Sequence, residues 1–286
     1  MITDADGLPI HIVEAGQPGT PAIVLLHGWP QSSVAFELLL PLLSPVAHVV
    51  ALDLPGIGGS PAAPPAGDKR TIARHVHAAI RALELREVTL VGHDIGAMVA
   101  YAYLHAYPRE LRAAVLLNIA IPGVDPWSET THNPNIFHFA LHAIPKLPET
   151  LIAGRQTPYF DYFYDAISAA PSAITPAHRA AYVAAYSRPA ALTAGFDWYR
   201  AFAQDEKDNQ AVKAARVETP VLYMRGDRER GSPLDAYVEG LCANGLVNVE
   251  GRAIPNCAHF SAEEQPAFLA AALLAFIAKH PALSRR

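Results

Sequence analysis

Residues 88–101 read Val88-Thr89-Leu90-Val91, then Gly92-His93-Asp94-Ile95-Gly96, then Ala97-Met98-Val99-Ala100-Tyr101. A short apolar run, a turn with glycine at both ends and a second apolar run predict a strand, a sharp turn and a helix in immediate succession. A G-x-nucleophile-x-G turn of this kind lifts its central residue above the end of a sheet, and here that residue is aspartate where serine is usual. The exchange changes the chemistry, because serine needs a base before it attacks a carbonyl, whereas a carboxylate is already anionic at neutral pH. Asp94 therefore suits displacement at a saturated carbon, opening an epoxide or expelling a halide and keeping an alkyl ester. Hydrolysing that ester still requires a general base. The same five residues also allow Asp94 to be a plain helix cap.

Around this turn, strand-like and helix-like runs alternate through the first 120 or so residues, the pattern of a mostly parallel central sheet flanked by helices. Ile10–Glu14, Ile23–Leu26, His48–Leu52, Val88–Val91 and Ala114–Leu117 are the expected strands, with helices at Arg74–Leu85 and Met98–Tyr107 and a loop at Pro61–Asp68. After Ile121-Pro122-Gly123 the texture turns to Pro, His and aromatic residues at helical spacing. Strand signals return at Val221–Met224 and Leu246–Val249, and Pro266 opens a long alanine- and leucine-rich helix. The expected organisation is an α/β core in two parts, 1–122 and 213–286, interrupted by a helical insertion at 123–212.

With 51% hydrophobic and 17% charged residues, the 286-residue chain has the balance of a compact protein with a substantial core. A net charge of −5 with no basic block argues against nucleic acid as a partner. The longest apolar stretch, Ala267–Ala278, covers 12 residues, short of the roughly 20 that a membrane helix needs. Acidic residues at the N-terminus do not suit a signal peptide, and two cysteines, Cys242 and Cys257, are too few for a disulfide scaffold, so a reduced, cytoplasmic setting is expected. A single bridge between them stays open. No metal or organic cofactor is indicated, and residue patterns carry no reading of oligomeric state.

An ester intermediate needs donors for its oxyanion. One is the backbone N–H of Ile95, directly after the nucleophile. The other is expected from the loop after an early strand, where His27-Gly28-Trp29-Pro30 follows Ile23–Leu26, with Trp29 donating its N–H and His27 in support. Elbow proteins run in the order nucleophile, acid, histidine, and of the 13 histidines His259, in Pro255-Asn256-Cys257-Ala258-His259-Phe260, sits late in a loop between the last strand and the last helix. Its intrinsic pKa suits proton removal from water. The acid that orients it is expected in Gly226-Asp227-Arg228-Glu229, where register selects Glu229 and Asp227 competes. Asn118, after the earlier strand, occupies another position for the acid but is an amide, which cannot stabilise an imidazolium by charge.

With these residues assembled, the chain resembles the α/β-hydrolase epoxide hydrolases over essentially its whole length. The insertion is most similar to the cap of the Cif-type branch, through Ile136-Phe137-His138-Phe139, Leu147-Pro148-Glu149-Thr150-Leu151, Tyr186-Ser187-Arg188-Pro189 and Gly195-Phe196-Asp197-Trp198-Tyr199-Arg200-Ala201-Phe202. The resemblance implies an α/β-hydrolase fold with a helical cap and a small, mostly apolar epoxide opened to a diol with water as co-substrate. It also implies that His138 and Tyr199 are the donors to the epoxide oxygen. Asn118 departs from the Cif-type pattern, which carries a glutamate there, and Cys257 stands where glycine is frequent.

Two other readings compete. Haloalkane and haloacetate dehalogenases share the aspartate and its ester, but the former typically place tryptophan, and the latter arginine, beside the nucleophile. Here Ile95, Ala97 and Met98 occupy that ground. A non-catalytic ligand-binding protein on the same fold is the second, since fold does not dictate function.

Overall fold

The segments Ala22–Leu26, His48–Leu52, Thr89–His93 and Ala113–Leu117 are buried at every residue, as a parallel sheet covered on both faces requires. In a computed structural model describing residues 1–281 they are β3, β4, β5 and β6 of an eight-stranded sheet. β1 (Ile2–Asp4), β2 (Pro9–Ala15), β7 (Val221–Gly226) and β8 (Val249–Ile254) complete it in the order β1-β2-β4-β3-β5-β6-β7-β8. β2 runs antiparallel to β1 and β4; every pair from β4 to β8 is parallel.

Alternate strand residues feed two apolar layers. Val24, Leu26, Leu90 and Leu116 share one with Ile72 and Val76 of the helix Lys69–Ala82 and Val99 and Tyr103 of the helix Ile95–Ala106. Ile23, Leu25, Val91 and Val115 share the other with Leu269, Leu273 and Phe276 of the helix Pro266–Lys279. Each such side chain stabilises the fold by roughly 1.5–3 kcal/mol, against roughly 0.2–1 kcal/mol for an exposed ion pair, so these layers and not surface charges hold the sheet.

The helix expected over Met98–Tyr107 spans Ile95–Ala106, and two further differences have a physical reason. The last strand is Val249–Ile254, not Leu246–Val249; Leu246 forms an isolated bridge with Val217 instead. β8 lies at the sheet edge with residues 250–253 exposed, so its sequence carries no apolar run to mark it. The helix expected from Arg74 begins at Lys69, because the Asp68 carboxylate accepts the Thr71 N–H at 2.7 Å and caps a polar first turn.

Register aligns the carboxyl ends of the central strands: Leu26 lies opposite Gly92, His93 opposite Leu117, and Leu117 opposite Met224. The loops beginning at His27, Asp94, Asn118 and Asp227 therefore leave the sheet along one edge, where ligands bind in open α/β sheets. Between β6 and β7 the regular elements are helical, from Trp127–His132 to Phe202–Val212. Among the described residues no helix is long and apolar enough to cross a membrane, and Cys242 and Cys257 are both free.

Candidate active site

Asp94 holds φ 51° and ψ −122° at the junction of β5 and its helix. Such a left-handed conformation costs a non-glycine residue on the order of 1–3 kcal/mol and persists only where its surroundings enforce it. They do so by close backbone approach: a Cβ on Gly92 would stand 2.2 Å from the Gly96 carbonyl oxygen, and one on Gly96 2.2 Å from that of Leu26. The Asp94 side chain makes no capping bond to the helix it precedes. Its Oδ1 instead accepts the Trp29 N–H at 2.9 Å. Burial raises the pKa of Asp94, outweighing the opposing pull of His259 and of the Trp29 and Ile95 amides.

The Oδ2 atom of Asp94 faces His259 Nε2 at 3.7 Å, and His259 Nδ1 lies 2.8 Å from Glu229 Oε1. Burial alone lowers the pKa of this imidazole, but the hydrogen bond and charge of Glu229, with the charge of Asp94, raise it above the ordinary histidine value. Glu229 is held as the anion: burial is overcome by His259, Arg225 and Asn118, and its pKa falls. Arg225 Nε stands 3.4 Å from Glu229 Oε2 and Asn118 Nδ2 donates to that oxygen at 2.9 Å. Asn118 thus bonds the carboxylate, and also the Ala258 carbonyl oxygen at 2.8 Å, rather than the imidazole. Asp227 is elsewhere, its Oδ1 accepting the Cys257 N–H at 3.3 Å, which leaves Glu229 as the carboxylate at His259.

Two further histidines brace the backbone around the centre. His27 accepts the Leu54 N–H on Nε2 at 2.9 Å, so its Nδ1 carries the proton and donates to the Gly28 carbonyl at 2.8 Å. Burial lowers its pKa and keeps it neutral. His93, between the elbow glycine and Asp94, donates from Nε2 to the His259 carbonyl oxygen at 2.7 Å. Burial, and then the nearby His259, lower the pKa of His93 to about 3. Nothing in the sequence singled out His93 beyond its place in the elbow.

Above the carboxylate opens a cavity of about 630 Å3, lined by Asp94, His259, Tyr199, His138, Trp29 and Phe163 among others. That volume lies in the ordinary range for small-molecule sites, roughly 300–1,000 Å3. Trp29 comes from the loop after β3, and its ring meets those of His138, His142, Tyr159, Phe160, Phe163 and Tyr199 with centroids 4.5–6.0 Å away. At roughly 0.5–1.5 kcal/mol per pair, this cluster is a main fastening of the helical insertion to the sheet. Burial and the charge of Asp94 push the Tyr199 hydroxyl well above its usual pKa, so it keeps its proton. His138, its rings 5.7 Å from Tyr199, is held neutral by burial, its pKa lowered to about 3, and its Nδ1 is buried with no partner among the described residues.

The ten residues singled out from the sequence fall into one neighbourhood except Asp227, whose carboxylate bonds the Cys257 amide and does not line the cavity. Among the described residues no group of three or more His, Cys, Asp or Glu side chains is arranged to hold a metal ion. The arrangement offers a buried carboxylate with one oxygen held by the Trp29 amide, an imidazole on a carboxylate, and Tyr199 and His138 lining the same cavity.

The model of the alpha/beta hydrolase fold family matches residues 21–266. The soluble epoxide hydrolase of Corynebacterium sp. (strain C12) is 31% identical over 279 residues, covering 96% of this chain and 95% of that protein. Among solved structures, wild-type Cfl2 from Burkholderia cenocepacia superposes with a TM-score of 0.87 at 32% identity, over 96% of this chain and 94% of that one. The epoxide hydrolase CorEH superposes with a TM-score of 0.87 at 28% identity, over 98% of each chain.

Proposed function

The chain belongs to the α/β-hydrolase fold family, in its epoxide-hydrolase branch, and from that membership we propose that it opens an epoxide to a vicinal diol through an ester on Asp94. Relatives that are named epoxide hydrolases, together with the hydrolase fold, support hydrolase activity on epoxides. The observation that carries the finer reading is the division of labour between the two oxygens of Asp94. Oδ1 is held by the Trp29 N–H while Oδ2 is turned to His259, and the residue lines the cavity.

In this reading Oδ2 attacks an epoxide carbon, the C–O bond breaks, and the charge growing on the ring oxygen is met by the Tyr199 hydroxyl and a His138 N–H. A hydroxyl whose pKa is pushed up still yields its proton to an alkoxide, which is more basic. His259 Nε2 then takes a proton from water, whose oxygen bonds to Cγ of the ester. The resulting negative charge falls on Oδ1, against the amides of Trp29 and Ile95. Collapse expels the diol, whose departing oxygen takes the proton from the imidazolium that Glu229 has stabilised in the interval; the carboxylic acid left on Asp94 then loses its proton and the Tyr199 phenolate regains one, which restores both groups. Residues 123–212 serve as the cap that closes the cavity over an apolar substrate. Two free thiols suit a cytoplasmic location.

The test is His259→Gln incubated with a panel of epoxides, haloalkanes and haloacetates, with mass spectrometry of the Asp94 peptide. A retained adduct carrying the opened hydroxyl is the expected result. An adduct formed only with loss of halide would make the protein a dehalogenase; no adduct, with no wild-type turnover, would make it a binding protein.

A further inference from the structure

Glu264 closes the four-residue helix Ser261–Glu264, yet its carboxylate engages far more than that helix. Oε1 accepts the Phe260 N–H at 2.9 Å; Oε2 accepts the N–H groups of Ala169 at 2.7 Å, Ala170 at 3.2 Å and Ala258 at 3.2 Å. A glutamate reaching back to the amide before a helix accounts for Phe260 alone. The other donors come from two separate segments: Ala258, which with Phe260 flanks His259, and the loop after the helix Gln156–Ala166. A further bond crosses the same seam, from the His259 N–H to the Ile167 carbonyl oxygen at 3.2 Å. Both sides of the seam, Ile167–Ala169 and Ala258–Phe260, line the cavity over Asp94.

Four amide donors on one buried carboxylate are charge-assisted bonds, stronger than their neutral counterparts. A glutamine could not reproduce them, since its single oxygen serves one cluster and its NH2 group would confront N–H donors.

We infer that Glu264 is a positioning residue for the general base: it holds the amides on both sides of His259 and binds that hold to the cap loop walling the substrate cavity. The inference rests on the proposed role of His259.

Its test compares Glu264→Gln and Glu264→Asp with wild type by amide hydrogen exchange and by single-turnover kinetics on an epoxide. In Glu264→Gln, protection is lost at residues 169, 170, 258 and 260 together; ester formation changes less than about twofold while hydrolysis falls roughly ten- to a hundredfold, the scale of a displaced catalytic group. The acid limb of hydrolysis also moves to lower pH, because a negative charge near His259 is gone while Glu229, His93 and His138 still face it and Asp94 is a neutral ester. Glu264→Asp keeps the charge, so its limb stays in place and part of the rate returns. Equal loss in both half-reactions with an unmoved limb would overturn the inference, as would loss of protection at Phe260 alone. Exchange needs no substrate: loss at all four amides in a protein whose wild type forms no epoxide adduct would uphold the seam and sink the epoxide reading.

Discussion

Asn118 and Glu229 meet at 2.9 Å although they are 111 residues apart, the amide of one donating to the carboxylate of the other. Loops after β6 and β7 leave the same sheet edge, so two candidate positions for an acid converge on one imidazole. A carboxylate at both would place like charges within hydrogen-bond distance and drive one of them to hold a proton. With an amide at 118 the pair is complementary: Glu229 carries the charge, and Asn118 occupies its second oxygen. The left-handed backbone of Asn118, φ 54°, is one that asparagine tolerates well.

Glu229→Gln therefore removes the carboxylate bonded to His259 Nδ1. Ester formation on Asp94 should survive while its hydrolysis slows by up to about 10⁴, the scale seen when the orienting acid of a serine triad becomes its amide. Glu229 is a main cause of the raised His259 pKa, and hydrolysis needs the neutral imidazole. The acid limb of hydrolysis should therefore move to lower pH in the variant. Rapid-quench kinetics across pH measures both effects, and an unchanged hydrolytic rate would remove Glu229 from the relay.

Tyr199→Phe tests the opposite half of the reaction. Its hydroxyl is expected to meet charge that exists only while the epoxide opens, so ester formation should fall by about a hundredfold, the order of one lost oxyanion donor, with little change in hydrolysis of the ester once formed. Equal slowing of the two steps would instead make Tyr199 a packing residue of the cluster around Trp29.

The residues around Asp94 show how far the chain could be read before it was folded. Gly92 and Gly96 announced the elbow because only glycine permits the backbone contacts found there, and β3 to β6 announced themselves because strands buried on both faces are apolar throughout. β8 was invisible for the converse reason: an exposed edge strand needs no such run. Glu229 was favoured over Asp227 by register alone, since both follow Gly226 and the turn decides which carboxylate points at His259. Glu264 was hidden for another reason, as its partners are backbone amides, which every residue supplies and no motif records.

His178 supplies a prediction about stability. From the helix Pro176–Ala185 its Nδ1 lies 2.9 Å from Glu263 and its Nε2 3.0 Å from Glu37, so both nitrogens face carboxylates and the imidazolium is favoured. The bond to Glu263 raises its pKa despite partial burial. A raised pKa in the folded state contributes stability that is fully present below the unfolded value of about 6.5 and is lost as pH rises through the folded value. Thermal unfolding of His178→Gln and wild type should differ most at pH 6 and converge on moving to alkaline pH. Parallel curves would show that folding does not shift the pKa of this imidazole, and a difference that widens towards alkaline pH would show that it stays neutral in the fold.

Gly28 offers the sharpest steric test of the centre. A Cβ placed there would stand 2.3 Å from the Asp94 Cβ and 2.7 Å from its Oδ1, in a site whose fixed elbow leaves the carboxylate nowhere to retreat. The neighbouring Trp29 N–H holds that same Oδ1, so Gly28→Ala should expel the carboxylate from its donor as well as crowd it. Displacement by about 1 Å is enough to cost about a hundredfold in rate, so ester formation should fall at least that far. Because the clash is local to the two loops, the variant should still unfold cooperatively, with His259 and Glu229 in place. Adduct formation measured on the double variant Gly28→Ala, His259→Gln isolates the first step, and yields matching those of His259→Gln alone would mean that the Asp94 carboxylate does not act from the position it holds against Gly28.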